Sequence, residues 1–434
     1  MAKREPEVGR IDGVTHDGRG IVGGAGKKVF VAGALEGEEV RYVRRKRRRK
    51  FDEAELLEVL DASSDRVEAR CAVFGRCGGC SLQHISPEHQ RDIKFQTLRD
   101  NLERIGGVSP VEWLEPLTGA EWNYRRRARL AVKDVAGKGR VLVGFRERHA
   151  PFITDMHRCE ILAQPVDDLI EPLSELIGGL SIRARLPQIE VAVGDDAVAL
   201  VFRVLDPPND ADRAAFREFG SRHAVTVWLQ PGGLDSLEPI EPDPPTLRYA
   251  IPEFDVEIEF EPIDFVQVNA DINRRMISRA IELLDPQPGD RVLDLFCGIG
   301  NFSLPLARRS GSVLGIEGEQ SLVARAKANA ERNGIGNADF RVRDLSEIDA
   351  ADDWLEAGWD RILLDPARSG AAAVAEKMRQ LGPERVVYVS CHPGTLARDA
   401  GTLVEEQGYT LRLAGIIDMF PHTAHVESVA VFDK

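Results

Sequence analysis

Beyond about residue 265 the chain alternates short apolar strand segments with helical stretches. In order these read RVLDLFCG, a helix, SVLGIEG, a helix, ADFRVRD, DRILLDP, a helix, RVVYVSCHP, a helix, and two terminal strands. Strands alternating with helices in this way specify a mostly parallel sheet with helices on its faces. Such sheets bind ligands beyond the carboxyl ends of their strands, so the residues at those ends carry the chemical information.

The first strand runs through Asp294 into Phe296-Cys297-Gly298-Ile299-Gly300-Asn301. Glycines there let the backbone approach a cofactor closely. A G-x-G alone also suits a dinucleotide, with Ser303 at the third small position and Glu317, at the end of the next strand, placed for ribose hydroxyls. Leu364-Asp365-Pro366 puts a carboxylate at another strand end, where it faces a ligand or caps the following helix. Cys391 follows the strand Arg385–Val389. A thiolate at that place can act as a nucleophile, although burial as a structural thiol is the commonest fate of cysteine. His425 and Glu427, just before the last apolar strand, are candidate acid/base groups.

The 434 residues amount to about three domains at roughly 150 residues each. Residues 8–60 read as short strands with glycine turns, a small β-barrel of the oligonucleotide-binding kind. Residues 86–106 have helical spacing with Ser86 as N-cap, and residues 124–260 are strand-rich. The expected division is 1–62, a barrel; 63–264, a central β-rich domain; and 265–434, the parallel-sheet domain. The net charge is −14, which taken whole speaks against a nucleic-acid partner. Its distribution speaks for one: residues 1–50 carry 14 Lys/Arg against 7 Asp/Glu, and eight of those basic residues fall in Arg41–Lys50. Arg125, Arg126, Arg127 and Arg129 form a second cluster. Both are also compatible with solvated basic faces. No run of about 18 apolar residues is present and the first residues lack an apolar core, so a soluble cytoplasmic protein is expected. Cys71-x5-Cys77-x2-Cys80, with Cys159 further on, offers four thiolates for zinc or an iron–sulfur cluster. The spacing does not choose between them, and it departs from the C-x3-C-x2-C of radical S-adenosylmethionine enzymes.

Taken together, DLFCGIGNF, LLDPARSG, YVSCHPGTLARD, HVESVAVF and the segment Phe265-Val266-Gln267-Val268-Asn269 closely resemble the RNA 5-methyluridine methyltransferase family. The resemblance is dense over the C-terminal half and extends into the amino-terminal parts. It implies a Rossmann-like methyltransferase domain in which Gln267, Phe296, Asn301, Glu317, Asp344 and Asp365 surround S-adenosylmethionine. It also implies Cys391 as nucleophile and Glu427 as general base. The family usually has Asn after the cysteine, where this chain has His392. The four cysteines resemble the [4Fe–4S] site of the 23S rRNA members, and the leading segment resembles a TRAM domain, which favours the longer of the rRNA branches. A monomer acting on a flipped or single-stranded uracil of 23S rRNA is therefore expected. The rival readings are a tRNA 5-methyluridine methyltransferase with the same catalytic residues and a non-catalytic, cluster-bearing rRNA-binding or ribosome-assembly protein. Enzymes that methylate cytosine C5 place their nucleophile after a D-P-P motif. Here that slot reads Asp365-Pro366-Ala367-Arg368 and holds no cysteine.

Overall fold

The computed structural model describes residues 5–23, 26–349 and 352–434. They form two compact units that interleave in sequence. The first takes residues up to 97 together with 145–154 and 420–425; the second takes 98–144, 155–419 and 426–434.

In the first unit the strands Glu7–Val14, Arg19–Val22, Lys28–Ala32, Glu39–Arg47 and Phe51–Asp61 close into a barrel. Alternation decides which side chains enter it. Val29 and Val31 point inward beside Ile11, Val40, Tyr42 and Ala54, while Lys28 and Phe30 point out. Gly20 is required by closure, since a Cβ there would stand 2.9 Å from both Ile11 and Ala34. The basic run lies on the last antiparallel pair, and the acidic residues of Phe51–Asp61 neutralise much of it. Arg44 pairs with Glu7 (2.8 Å) and Asp52 (2.7 Å), Arg45 with Glu55 (2.5 Å), Arg48 with Glu53 (3.3 Å) and Arg41 with Glu58. Among the described residues Arg47, Arg49 and Lys50 form no ion pair, so the positive charge left over is concentrated at the turn of this hairpin. Ser86 caps the helix Pro87–Asn101 as its spacing predicts, its Oγ accepting from His89 N at 3.3 Å.

The second unit contains a six-stranded sheet and an eight-stranded one. The six-stranded sheet runs Glu238–Pro239, Thr226–Gln230, Val198–Arg203, Gln188–Val193, Arg127–Val135, Arg140–Gly144. The arginine cluster sits here and is largely consumed by acids: Arg126 by Asp195 (2.6 Å), Arg129 by Glu190 (2.9 Å), while Arg127 is drawn to Glu190 and the carbonyl of Pro262. The eight-stranded sheet runs Ala338–Val342, Ser312–Glu317, Arg291–Leu295, Arg361–Leu364, Arg385–Ser390, Glu427–Asp433, Thr410–Ile417, Glu112–Trp113. Its first five strands are parallel, and Glu427–Asp433 runs antiparallel to both neighbours. The chain starts at Arg291–Leu295, builds outward to Ala338–Val342, then returns to Arg361–Leu364 on the other side. That reversal makes the ends of Arg291–Leu295 and Arg361–Leu364 the switch point, where sheets of this kind hold their ligand crevice.

Candidate active site

Phe296 leaves the first strand at φ +67°, and Gly298 and Gly300 follow at +54° and +94°. These left-handed residues fold the chain sharply across the strand end. Glu317, at the end of the neighbouring strand, fixes the loop by accepting from Gly298 N (3.1 Å) with one oxygen and from Gly318 N (2.7 Å) with the other. Asn301 is locked by a reciprocal pair with Asn273 (3.0 and 3.1 Å) and by Tyr249 Oη (2.8 Å). Asp294 is fully buried beneath the loop and accepts from Ser303 Oγ at 2.5 Å, while its second oxygen has no partner. Burial, with Asp365 and Glu317 nearby, raises its carboxyl to about 7.

Across the crevice Asp365 follows its strand, and burial raises its carboxyl to about 7 as well. The next strand pairs with the last one antiparallel, and the final rung of that ladder joins Ser390 to Ser428. Cys391 and Glu427 are the next residues beyond that rung, and Glu427 is near enough to act electrostatically on the Cys391 thiol. Glu427 is only 3% exposed; burial and Asp365 push its carboxyl well above the ordinary range, with Arg368 opposing. Cys391 is half-buried, and burial, Glu427 and Asp365 push its thiol up to about 11, again opposed by Arg368. The crevice therefore holds four acidic groups shifted upward by burial and most of them by one another.

Of the other expected contacts, Gln267 lies half-buried just before Asn269, the N-cap of the helix Ala270–Leu284. Asp344 is exposed in the turn after Ala338–Val342, where Ser346 N (2.8 Å) and Oγ (2.7 Å) donate to it. His392 acts as a helix cap. Its Nδ1 accepts from Thr395 N at 3.2 Å and closes the first turn of Pro393–Gly401, as an Asn there would. Sequence reasoning overlooked Arg368, Asn273 and Tyr249. The signal for Arg368 was its place three residues after Asp365, past the same strand end.

In the first unit, Cys71, Cys77 and Cys80 lie in one turn-rich loop; Cys159 belongs to the second unit. Cys77 is buried, and its Sγ accepts from Gly79 N at 3.4 Å. Arg148 donates to the carbonyl of Cys80 at 3.0 Å. Among the described residues no three or more His, Cys, Asp or Glu side chains converge as a metal-ligating group. Polar atoms of the same unit are nonetheless buried without partners, namely Ser81 Oγ and both ring nitrogens of His84. Burial, aided by Arg66 and Arg148, lowers the His84 imidazole to about 4.

The family model described as tRNA (Uracil-5-)-methyltransferase matches residues 250–434. The 23S rRNA (uracil(1939)-C(5))-methyltransferase RlmD of Alkalilimnicola ehrlichii is 51% identical over 432 residues, covering 99% of this chain and 97% of that one. The chain belongs to the RNA uracil-C5 methyltransferase family. A second member, RlmD of Methylococcus capsulatus, is 50% identical over 431 residues with the same coverage of both chains. A solved member, the Pyrococcus abyssi tRNA (uracil-54, C5)-methyltransferase in complex with S-adenosyl-L-homocysteine, superposes with a TM-score of 0.77 at 25% identity, covering 98% of this chain and 99% of that one. The methyltransferase fold and the small closed barrel are thus those of an established family. No helix among the described residues is long and apolar enough to cross a membrane.

Proposed function

We propose that this chain transfers the methyl group of S-adenosylmethionine to C5 of a uracil in 23S rRNA through a covalent adduct between Cys391 and C6 of the base. The observation that supports the reading most is that Cys391 and the buried Glu427 follow the last rung between their strands, with Glu427 acting on the Cys391 thiol. Uracil C5 is a poor nucleophile. The Cys391 thiolate adds to C6, C5 becomes enolate-like and attacks the sulfonium methyl, and S-adenosylhomocysteine leaves. Glu427 then takes the C5 proton, the C5–C6 double bond re-forms, and the thiolate is expelled. Arg368 favours the ionised form of both groups. The sulfonium charge offsets the clustered carboxyls, and Gln267, Phe296, Asn301, Glu317, Asp344 and Asp365 line the cofactor. The target uracil is flipped or single-stranded, since C5 and C6 are attacked from the ring faces.

Cys71, Cys77, Cys80 and Cys159 are the residues that would hold a [4Fe–4S] cluster. The donor set of thiolates and the unpartnered Ser81 and His84 atoms support this. When bound, a cluster would cross-link this loop through its thiolates; methyl transfer moves no electrons through it. Residues 1–62 serve as an RNA-binding TRAM-like barrel, 63–264 as the cluster-bearing domain with RNA contacts and 265–434 as the catalytic domain of a cytoplasmic monomer. Two assays test this. Radiolabelled methyl should enter 23S rRNA transcripts and not tRNA transcripts; labelling of tRNA alone selects the tRNA reading. Anaerobically purified protein should contain iron and acid-labile sulfide that Cys77→Ser removes; protein without either overturns the cluster.

A further inference from the structure

The turn Phe420–His425 joins the last two strands of the methyltransferase sheet in sequence but belongs to the first compact unit. Its backbone is held at several points. His422 sits at φ +65°, a region that non-glycine residues rarely enter. Its N–H donates to Gln90 Oε1 (2.8 Å), and its carbonyl accepts from the N–H groups of Ser81 (2.9 Å) and Leu82 (3.0 Å). Gln90 Nε2 lies 3.2 Å from His422 Nδ1 and donates to the Ile85 carbonyl at 2.8 Å. Lys94 Nζ donates to the Phe420 carbonyl at 2.9 Å. Within the turn, Thr423 Oγ1 donates to that same carbonyl (3.0 Å) and accepts from His425 N (3.3 Å), so the order extends to two residues before Glu427. Gln90 and Lys94 are each only 2% exposed.

Burying an ammonium group and an amide is costly unless their bonds are made. A left-handed backbone at a non-glycine residue persists only where its surroundings over-determine it, and such sites cluster at functional positions. Here the ordered element leads directly into Glu427, the first residue of its strand. Glu427 is the last residue paired with Ile417 before the turn, so the turn sets the course of the chain that enters it. Ser81 and Leu82, which hold the His422 carbonyl, directly follow Cys80.

We propose that Gln90 and Lys94 are positioning residues for proton abstraction: with the loop after Cys80 they clamp the turn Phe420–His425 and so aim the Glu427 carboxylate at the C5 proton. This rests on Glu427 being the general base. It gives the cysteine loop a mechanical bearing on catalysis without any redox step.

The test compares wild type, Gln90→Leu, Gln90→Glu, Lys94→Met and Glu427→Gln, each as full-length protein with S-adenosylmethionine and an rRNA fragment bearing ordinary uracil. A misplaced base stalls the reaction after methyl transfer, so methylated RNA should accumulate as a denaturation-resistant adduct on Cys391. Glu427→Gln should show this most strongly. Gln90→Leu and Lys94→Met should lower kcat by about tenfold to a hundredfold, accumulate the same adduct and keep KM for S-adenosylmethionine. Gln90→Glu, which retains the acceptor for His422 N–H, should recover part of the rate. If Gln90→Leu does not fold, Lys94→Met decides, because its linear apolar side chain suits a buried site. Slow turnover without adduct in the folded variants, while Glu427→Gln does accumulate it, overturns the proposal. Wild-type turnover by Glu427→Gln overturns the assignment of the base instead.

Discussion

At the scale of single residues, burial raises the acids of the site, and Arg368 opposes that rise at Cys391 and Glu427. The Cys391 thiol at about 11 is protonated at neutral pH, and its ionised fraction grows about tenfold per pH unit below that value. Adduct formation should therefore accelerate as pH rises. Arg368 lowers both Cys391 and Glu427, so Arg368→Met should move that acceleration to higher pH and slow the reaction at about pH 7. A pH–rate profile of single-turnover adduct formation measures this, and a rising limb that stays in place would remove Arg368 from the mechanism. Cys391, Glu427 and Asp365 were legible in the sequence because each is a reactive residue type at the end of an apolar strand. Arg368 was harder to read, since its place past the same strand end as Asp365 is a weak mark and most arginines after a turn are solvated. His392 shows why a departure from the usual residue can be neutral: an imidazole Nδ1 accepts from the same backbone N–H that an Asn side chain would reach.

At the scale of elements, capping gives a direct check. His392→Ala removes the cap of Pro393–Gly401 and should cost about 1 kcal/mol in urea denaturation, whereas His392→Asn should change stability little. Equal losses in both variants would mean that the imidazole does something other than capping. The βα pattern was readable because buried parallel strands are continuous apolar runs such as RILL and RVVYVS. The helices Ile170–Gly179 and Asp210–His223, inside the region read as strand-rich, were hidden by the β-branched and aromatic residues of their neighbours. The interleaving of the two units was invisible for a different reason. The return of Phe420–His425 to the first unit is fixed by hydrogen bonds to Gln90 and Lys94, more than 300 residues away, and no local pattern encodes such pairing.

For the whole molecule, an acidic protein that handles RNA must keep its positive charge local. Both basic clusters of the sequence are thinned by internal ion pairs, and among the described residues of the barrel hairpin Arg47, Arg49 and Lys50 form none. Replacing those three with Gln should weaken rRNA binding and reduce the salt dependence, log Kd against log salt, by about 2 if each meets a single-stranded phosphate. An unchanged slope would place the RNA elsewhere. Replacing Arg44, which is held by Glu7 and Asp52, should instead destabilise the barrel. In the proposed reaction Cys391, Glu427 and bound S-adenosylmethionine act together on one uracil. The most direct measurement incubates the protein and S-adenosylmethionine with an rRNA fragment in which 5-fluorouracil replaces the target base. Fluorine cannot leave C5 as a proton, so a methylated, denaturation-resistant protein–RNA adduct should form with wild type and be absent with Cys391→Ala. An intact protein that binds both RNA and cofactor yet forms no adduct would contradict covalent uracil-C5 methylation.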